Sequence, residues 1–418
     1  MTAANARTPG GALRRDLRAC SGDGATYCLM VGASETYFSA LALALGKGSV
    51  LAGLSATMPN LVGSVLQLAS PAGLRRVASP RRWIQGCAVL QSMSLLGLVA
   101  GAVAGAMPTW LMLACLTGYW TAALGAGPAW NTWVGHLVPA RIRARYFAMR
   151  SRLCNLLQLA AMLASGGMLW LSERGQWPLW GFAMVLFGAA ACRATSVAYL
   201  QRQGDVRLEP GDIRPIKWRS LPRRLLSGDL RLLVHLAVFQ GALNVGGPFI
   251  TPWMIDHLGM DKLRFTACVA AVFICKSLAM PLVSRLVRRF GTGRVMVASG
   301  IGTAISITLI PATPHLAWIL LMQGLFGACM AGWDLAAFLL LLERLRHEER
   351  TAVMSLFMTM NCVAVAVGSL IGGLVLELSG SWTHAYALVF ALSGALRLGA
   401  MLLRPRRGHV AAVVVAEG

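Results

Sequence analysis

Residues 316–341 read LAWILLMQGLFGACMAGWDLAAFLLL, and Leu342, Glu343, Arg344, Leu345 and Arg346 follow. An α-helix needs about 20 consecutive apolar residues to cross the hydrocarbon core of a bilayer. This run exceeds that length, carries a single charge, Asp334, and stops where the arginines begin. It reads as a membrane span whose basic end faces the cytoplasm.

Working outward from it, eleven further runs have the same character. The spans are expected at about 25–45, 50–69, 83–106, 109–130, 153–171, 179–200, 232–255, 265–286, 295–310, 316–341, 352–376 and 385–403. The fold class that follows is an all-α polytopic membrane protein with 12 transmembrane helices in two pseudo-symmetric six-helix bundles. The bundles are expected at 25–200 and 232–403, with cytoplasmic tails at 1–24 and 404–418 and a cytoplasmic linker at 201–231. Composition agrees: the chain is 56% hydrophobic and 13% charged, with a mean hydropathy of +0.62. Soluble domains carry about 25% charged residues, and water does not tolerate so much apolar surface. Disordered chains and disulfide-rich secreted scaffolds are excluded by the same numbers. Of the ten cysteines only Cys20 lies in a polar tail; the others read as small hydrophobes packed between helices. Arg7, Arg14, Arg15 and Arg18 precede the first span with no small-residue cleavage site, which marks a tail and not a signal peptide.

The formal charge of +22 would suggest nucleic acid in a soluble protein. Here the basic residues alternate with the spans. Arg75, Arg76, Arg81 and Arg82 follow the second span, Arg141 to Arg152 precede the fifth, and a dense group from Arg202 to Arg231 fills the centre. Arg285, Arg288, Arg289 and Arg294 follow the eighth, and Arg404, Arg406 and Arg407 follow the last. The opposite side holds only Lys47, Arg174, Lys262 and Arg264. This asymmetry places both termini in the cytoplasm, facing an anionic leaflet. It accounts for the charge without nucleic acid, for which no fold motif is present. Arginine far outnumbers lysine beside abundant Ala and Gly, which points to a GC-rich bacterial genome and an inner-membrane location.

The two sets of six spans share residues. Displaced by 205 positions, Leu137 falls on Leu342, Arg141 on Arg346, Arg145 on Arg350, Met149 on Met354 and Gly167 on Gly372. Basic turns recur after the second span of each set, as Leu74-Arg75-Arg76 and Val287-Arg288-Arg289. Repetition at fixed offset marks a duplicated unit. With twelve spans, internal termini and parallel halves, the chain resembles the major facilitator superfamily from about residue 25 to 403. The resemblance implies rocking of two bundles around a midplane site, with the first helix of each three-helix unit lining the path and Arg75, Arg76, Arg288 and Arg289 in cytoplasmic gate loops. The family's loop pattern also contains an acid, which both copies here lack. The exporter Gly-Pro pair in span 5 and the sugar-porter signatures are absent.

Polar residues inside spans are the candidate site. An ionisable group at mid-bilayer costs about 2.5–3.5 kcal/mol on insertion scales, so each needs a reason. Glu35, near the middle of span 1 beside Tyr37, reads as a proton-coupling or substrate-binding acid, or else as a helix–helix hydrogen-bonding group. Asp334 reads as a coupling group or as the partner of the loop arginines after span 10. Lys276, in the middle of span 8, is a counter-charge for either acid. Trp130, Asn131, Asn155, Gln158, Gln240, Asn244 and Asn361 complete the expected lining. Span 7 contains Gly246, Gly247, Pro248 and Pro252 around mid-membrane. Proline breaks the hydrogen-bond ladder, and interrupted helices often border transporter sites; a static kink is the alternative. Arg193 and Arg397 are expected to snorkel to the headgroups as anchors.

These features point to a secondary transporter moving a small solute by alternating access, with proton or ion coupling, acting as a monomer in the lipid bilayer. No cofactor, metal or catalytic residue is expected: there is no phosphate loop, no His-Glu-x-x-His and no Gly-x-Ser-x-Gly. Met354 and Met358, with His257 and Met260, leave room for a soft-metal importer of copper type. A non-transporting receptor or scaffold with a transporter fold is the other alternative.

Overall fold

A computed structural model describes residues 9–205, 221, 224–225, 230–345, 349–380 and 382–402, and these contain helices and no strand. In order they are α1 (Pro9–Ser34), α2 (Phe38–Ala44), α3 (Gly48–Leu66), α4 (Ser70–Val77), α5 (Pro80–Val103), α6 (Thr109–Leu137), α7 (Ala140–Arg174) and α8 (Pro178–Arg202). After the centre come α9 (Arg231–Gly246), α10 (Lys262–Phe290), α11 (Thr292–Leu309), α12 (Leu316–Arg344), α13 (Arg350–Leu378) and α14 (Trp382–Leu402). Nine helices among the described residues are long and apolar enough to cross a membrane. The expected spans at 25–45, 50–69 and 109–130 are covered by α1 with α2, by α3 and by α6. The first helix begins at Pro9, so most of the stretch expected as a tail is helical. The bulk of the expected linker at 201–231, and the C-terminal tail, lie outside the described residues.

Local chemistry sets the helix ends. Ser79 accepts the Arg82 amide, with Pro80 in the first turn of α5; Asp261 caps α10 through the Arg264 amide. Both are side-chain oxygens satisfying amides that the first turn leaves unpaired. Between α10 and α11 the chain turns at Gly291 with φ +85°, a conformation that a Cβ disfavours.

Contacts divide the chain into two compact units. One comprises Met1–Ile142, Leu153–Pro215 and His347–Met358; the other comprises Arg143–Arg152, Ile216–Arg346 and Thr359–Gly418. The boundaries therefore fall inside α7 and α13, not only in the central linker. Within the first unit α1 packs on α8, α3 on α6, and α5 on both α6 and α8. Within the second, α9 packs on α14, α10 on α12, and α11 on both α12 and α14. Numbered as spans, these are the pairs 1–6, 2–4, 3–4 and 3–6, and then 7–12, 8–10, 9–10 and 9–12. The repeat seen in the sequence is thus a repeat of packing.

Small residues bring backbones together, as membrane helices require in the absence of a hydrophobic drive between them. A Cβ at Gly32 of α1 would collide with the Gln158 carbonyl of α7. In the second unit a Cβ at Gly368 or Gly372 of α13 would strike the Gly241 or Val245 carbonyl of α9.

Candidate functional site

Glu35 sits where the first span breaks. The buried Ser34 donates its hydroxyl to the Met30 carbonyl at 2.8 Å, a back-bond that bends helices. The chain then makes a 3₁₀ turn at Glu35–Tyr37 before α2 resumes. Tyr119 of α6, fully buried, donates its phenol to Glu35 Oε1 at 2.8 Å. Tyr37 donates to the Met162 carbonyl of α7 at 2.6 Å. Glu35 and Tyr37 remain half-buried and Thr36 is exposed. On α7, Gln158 is half-buried, and the buried Asn155 has no partner for its amide nitrogen among the described residues. The Trp120 indole N–H on α6 is likewise without an acceptor among them. Buried donors are normally paired, so Asn155 and Trp120 each carry an unused donor.

In the second unit Lys276 and Asp334 form an ion pair at 2.7 Å, with side chains 23% and 40% exposed. Asp334 is thus held by α10. Lys276 lies at the midpoint of α10 (Lys262–Phe290). Charges at that depth are costly unless paired, and these two are paired with each other. Span 7 is interrupted as its prolines require: α9 ends at Gly246, a 3₁₀ turn covers Gly247–Phe249, and Trp253–His257 is a π-helix. Gly246 is pressed against Ser393 and Phe390, whereas Gly247 has open space where a Cβ would go. Gln240 and Asn244 are both half-buried, one turn apart, with Asn244 Nδ2 donating to the Gln240 carbonyl at 2.9 Å. Asn361 on α13 is also half-buried.

Other expected residues have packing roles. Trp130 packs in a cluster with Trp83 and Trp133. Asn131 is 5% exposed, and its Nδ2 donates to the Gly127 carbonyl at 2.9 Å. Met354 is core, and the Met358 methyl lies 3.7 Å from the position of a Cβ on Gly127. The His257 ring lies 5.9 Å from that of Tyr386, and Met260 packs beside Trp253 and Met254. Among the described residues no three His, Cys, Asp or Glu side chains gather as a metal would need. Arg75, Arg76, Arg288 and Arg289 are exposed at the ends of α4 and α10. Carboxylates from outside these loops reach residues beside each of them. Ser79 donates to Asp205 at 2.9 Å and Arg81 lies 3.4 Å from the same carboxylate. Thr292 donates to Glu343 at 3.4 Å.

The expected snorkelling of Arg193 and Arg397 is overturned: they are 3% and 1% exposed. Arg193 of α8 donates to Gln91 of α5 and to Ser196, each at 2.8 Å. Ser196 donates to Asp23 of α1 at 2.6 Å, and Arg193 lies 3.9 Å from that carboxylate and 4.9 Å from the Tyr27 ring centroid. Arg397 of α14 donates to the Thr303 carbonyl at 2.7 Å and weakly to that of Leu243 at 3.4 Å. Asp23 escapes a reading of the apolar runs because it lies just outside one; only the continuation of α1 back to Pro9 brings it into the interior.

Residues 232–417 match the Major Facilitator Superfamily. No curated protein sequence matches the chain. Among solved structures, the E. coli fucose:proton symporter aligns with a TM-score of 0.73 at 14% identity, over 94% of this chain and 99% of that one. A bacterial homologue of the iron transporter ferroportin aligns at 0.69 and 14%, over 94% and 98%. A proton:xylose symporter aligns at 0.69 and 14%, over 94% and 95%. At such identity the likeness is one of fold. By sequence, similarity to the major facilitator superfamily covers residues 232–417, and over 94% of its length the chain has the fold of these solved structures.

Proposed function

We propose that this protein is a proton-coupled secondary transporter that moves a small solute by alternating access. It works as a monomer in a bacterial inner membrane with both termini in the cytoplasm. The observation that carries the reading is Glu35: a largely buried carboxylate at a break in the first span, held by one buried phenol. A carboxyl in such a place can bind and release a proton as access changes, and the broken helix beside it supplies the motion. Two of the structural neighbours are proton symporters by name, which supports the coupling. Lys276 and Asp334 would contact a polar or charged part of the solute, with Asn155, Gln158, Gln240, Asn244 and Asn361 as hydrogen-bonding groups. The arginine loops would act at the cytoplasmic gate.

A thermal-shift screen of the purified protein across metabolites and drugs identifies the solute, and uptake into liposomes then measures transport. Replacing Glu35→Gln is expected to lower pH-driven uptake at least ten-fold and to flatten its pH dependence. Unchanged uptake with an unchanged pH profile would remove Glu35 from the mechanism.

A further inference from the structure

The part of α1 expected as a loose tail is helical, and it carries arginine on one side. Gly11, Arg14, Arg15 and Arg18 lie within two turns, so they share a face. Together with Tyr199 and Arg202 from the end of α8 they line a recess of about 430 Å³. Arg14, Arg15, Arg18 and Arg202 are exposed. The Arg202 guanidinium lies 5.8 Å from the Tyr199 ring centroid, and Tyr199 packs so closely on α1 that a Cβ at Gly22 would overlap its ring. The floor is therefore fixed by the α1–α8 packing, and the guanidinium groups stand around it.

Among the described residues, carboxylates leave three of the four arginines unpaired. Asp16 accepts the Gly204 amide at 3.2 Å and lies 3.5 Å from Arg15 alone. Asp205 is engaged by Ser79 and Arg81. Arg14, Arg18 and Arg202 have no carboxylate partner among the described residues. Guanidinium groups bind phosphate in bidentate fashion, and basic recesses beside spans on the cytoplasmic side suit anionic headgroups. We propose that this recess holds the phosphodiester headgroup of an anionic phospholipid from the cytoplasmic leaflet. Placing it there rests on the orientation given under Proposed function. The ligand is a lipid and not a soluble phosphate because α1 and α8 run directly from the recess into the apolar spans, where acyl chains would lie.

The test uses the full chain in nanodiscs of phosphatidylcholine, titrated with phosphatidylglycerol, with lipid retention and Tm as readouts. The wild type is expected to retain phosphatidylglycerol and to gain Tm, with the effect falling as salt is raised. Arg14→Gln and Arg18→Gln are each expected to weaken apparent affinity about five-fold, while Arg174→Gln, exposed at the opposite end of the spans, leaves it unchanged. An equal response in all variants overturns the proposal. So does a Tm gain from inorganic phosphate in phosphatidylcholine nanodiscs that matches the gain from phosphatidylglycerol, since that assigns the recess to a soluble anion. The wild-type titration stands even if a variant fails to fold: no preference for phosphatidylglycerol over phosphatidylcholine refutes it. Binding is read without transport, so failure here and failure of the transporter reading are separate results.

Discussion

Arg193 and Arg397 occupy matching places in the two units, on the last span of each, and bury their charge by different means. In the first unit an acid, an amide and a hydroxyl from α1, α5 and α8 converge on Arg193. In the second, backbone carbonyls of α11 and α9 receive Arg397, its Nε has no partner, and no carboxylate reaches it among the described residues. Duplication preserved the position of the cation and the helices around it, but not the chemistry that compensates it. A paired charge is expensive to break, because the survivor stays buried alone. A charge held by carbonyls and the face of the Phe326 ring leaves no opposite charge stranded when it is removed.

The largest expected effect follows from that contrast. Asp23→Asn should cost about 3–5 kcal/mol by stranding Arg193, read as a fall in Tm in detergent. Adding Arg193→Met to it should recover most of the loss. Arg397→Met should cost much less, and equal losses at Asp23 and Arg397 would dissolve the comparison. Next comes the close packing on either side. Gly32→Val and Gly368→Val should each destabilise by about 1–3 kcal/mol through forced backbone separation; a difference between them would show that one unit is better able to relax. Smaller in stability but large in activity is the Lys276–Asp334 pair. Being part-exposed, it should contribute about 0–1 kcal/mol, yet Asp334→Asn should lower uptake at least ten-fold in the liposome assay. The smallest effect belongs to Gly247, whose Cβ position is open but whose helical backbone, with φ −53° and ψ −51°, precedes Pro248. Gly247→Ala should change stability by less than about 1 kcal/mol, because the entropy gained from restricting the unfolded chain is offset by crowding of the new Cβ against the proline ring.

Span positions were legible because hydrocarbon thickness imposes a length on apolar runs, and the repeat was legible because basic turns and small residues recur at one offset. Glu35 was legible as a lone acid in such a run. Tyr119, its partner, was not, since a tyrosine in an apolar stretch reads as packing until its hydroxyl is placed. Asp23 lay just beyond the run's edge, where composition cannot separate a tail from a continuing helix. Arg193 and Arg397 were misread for a related reason. Their distance from the span end permitted snorkelling, and only the rotation of α8 and α14 about their axes decides between headgroup and interior. Lys276 illustrates the middle case: its need for an acid was plain, and the choice of Asp334 required the packing of α10 on α12.

α1 runs unbroken from Pro9 to Ser34, so it is a single rod with the arginine recess at one end and the Glu35 turn at the other. Under the readings given above, lipid and proton would bind at opposite ends of one continuous helix.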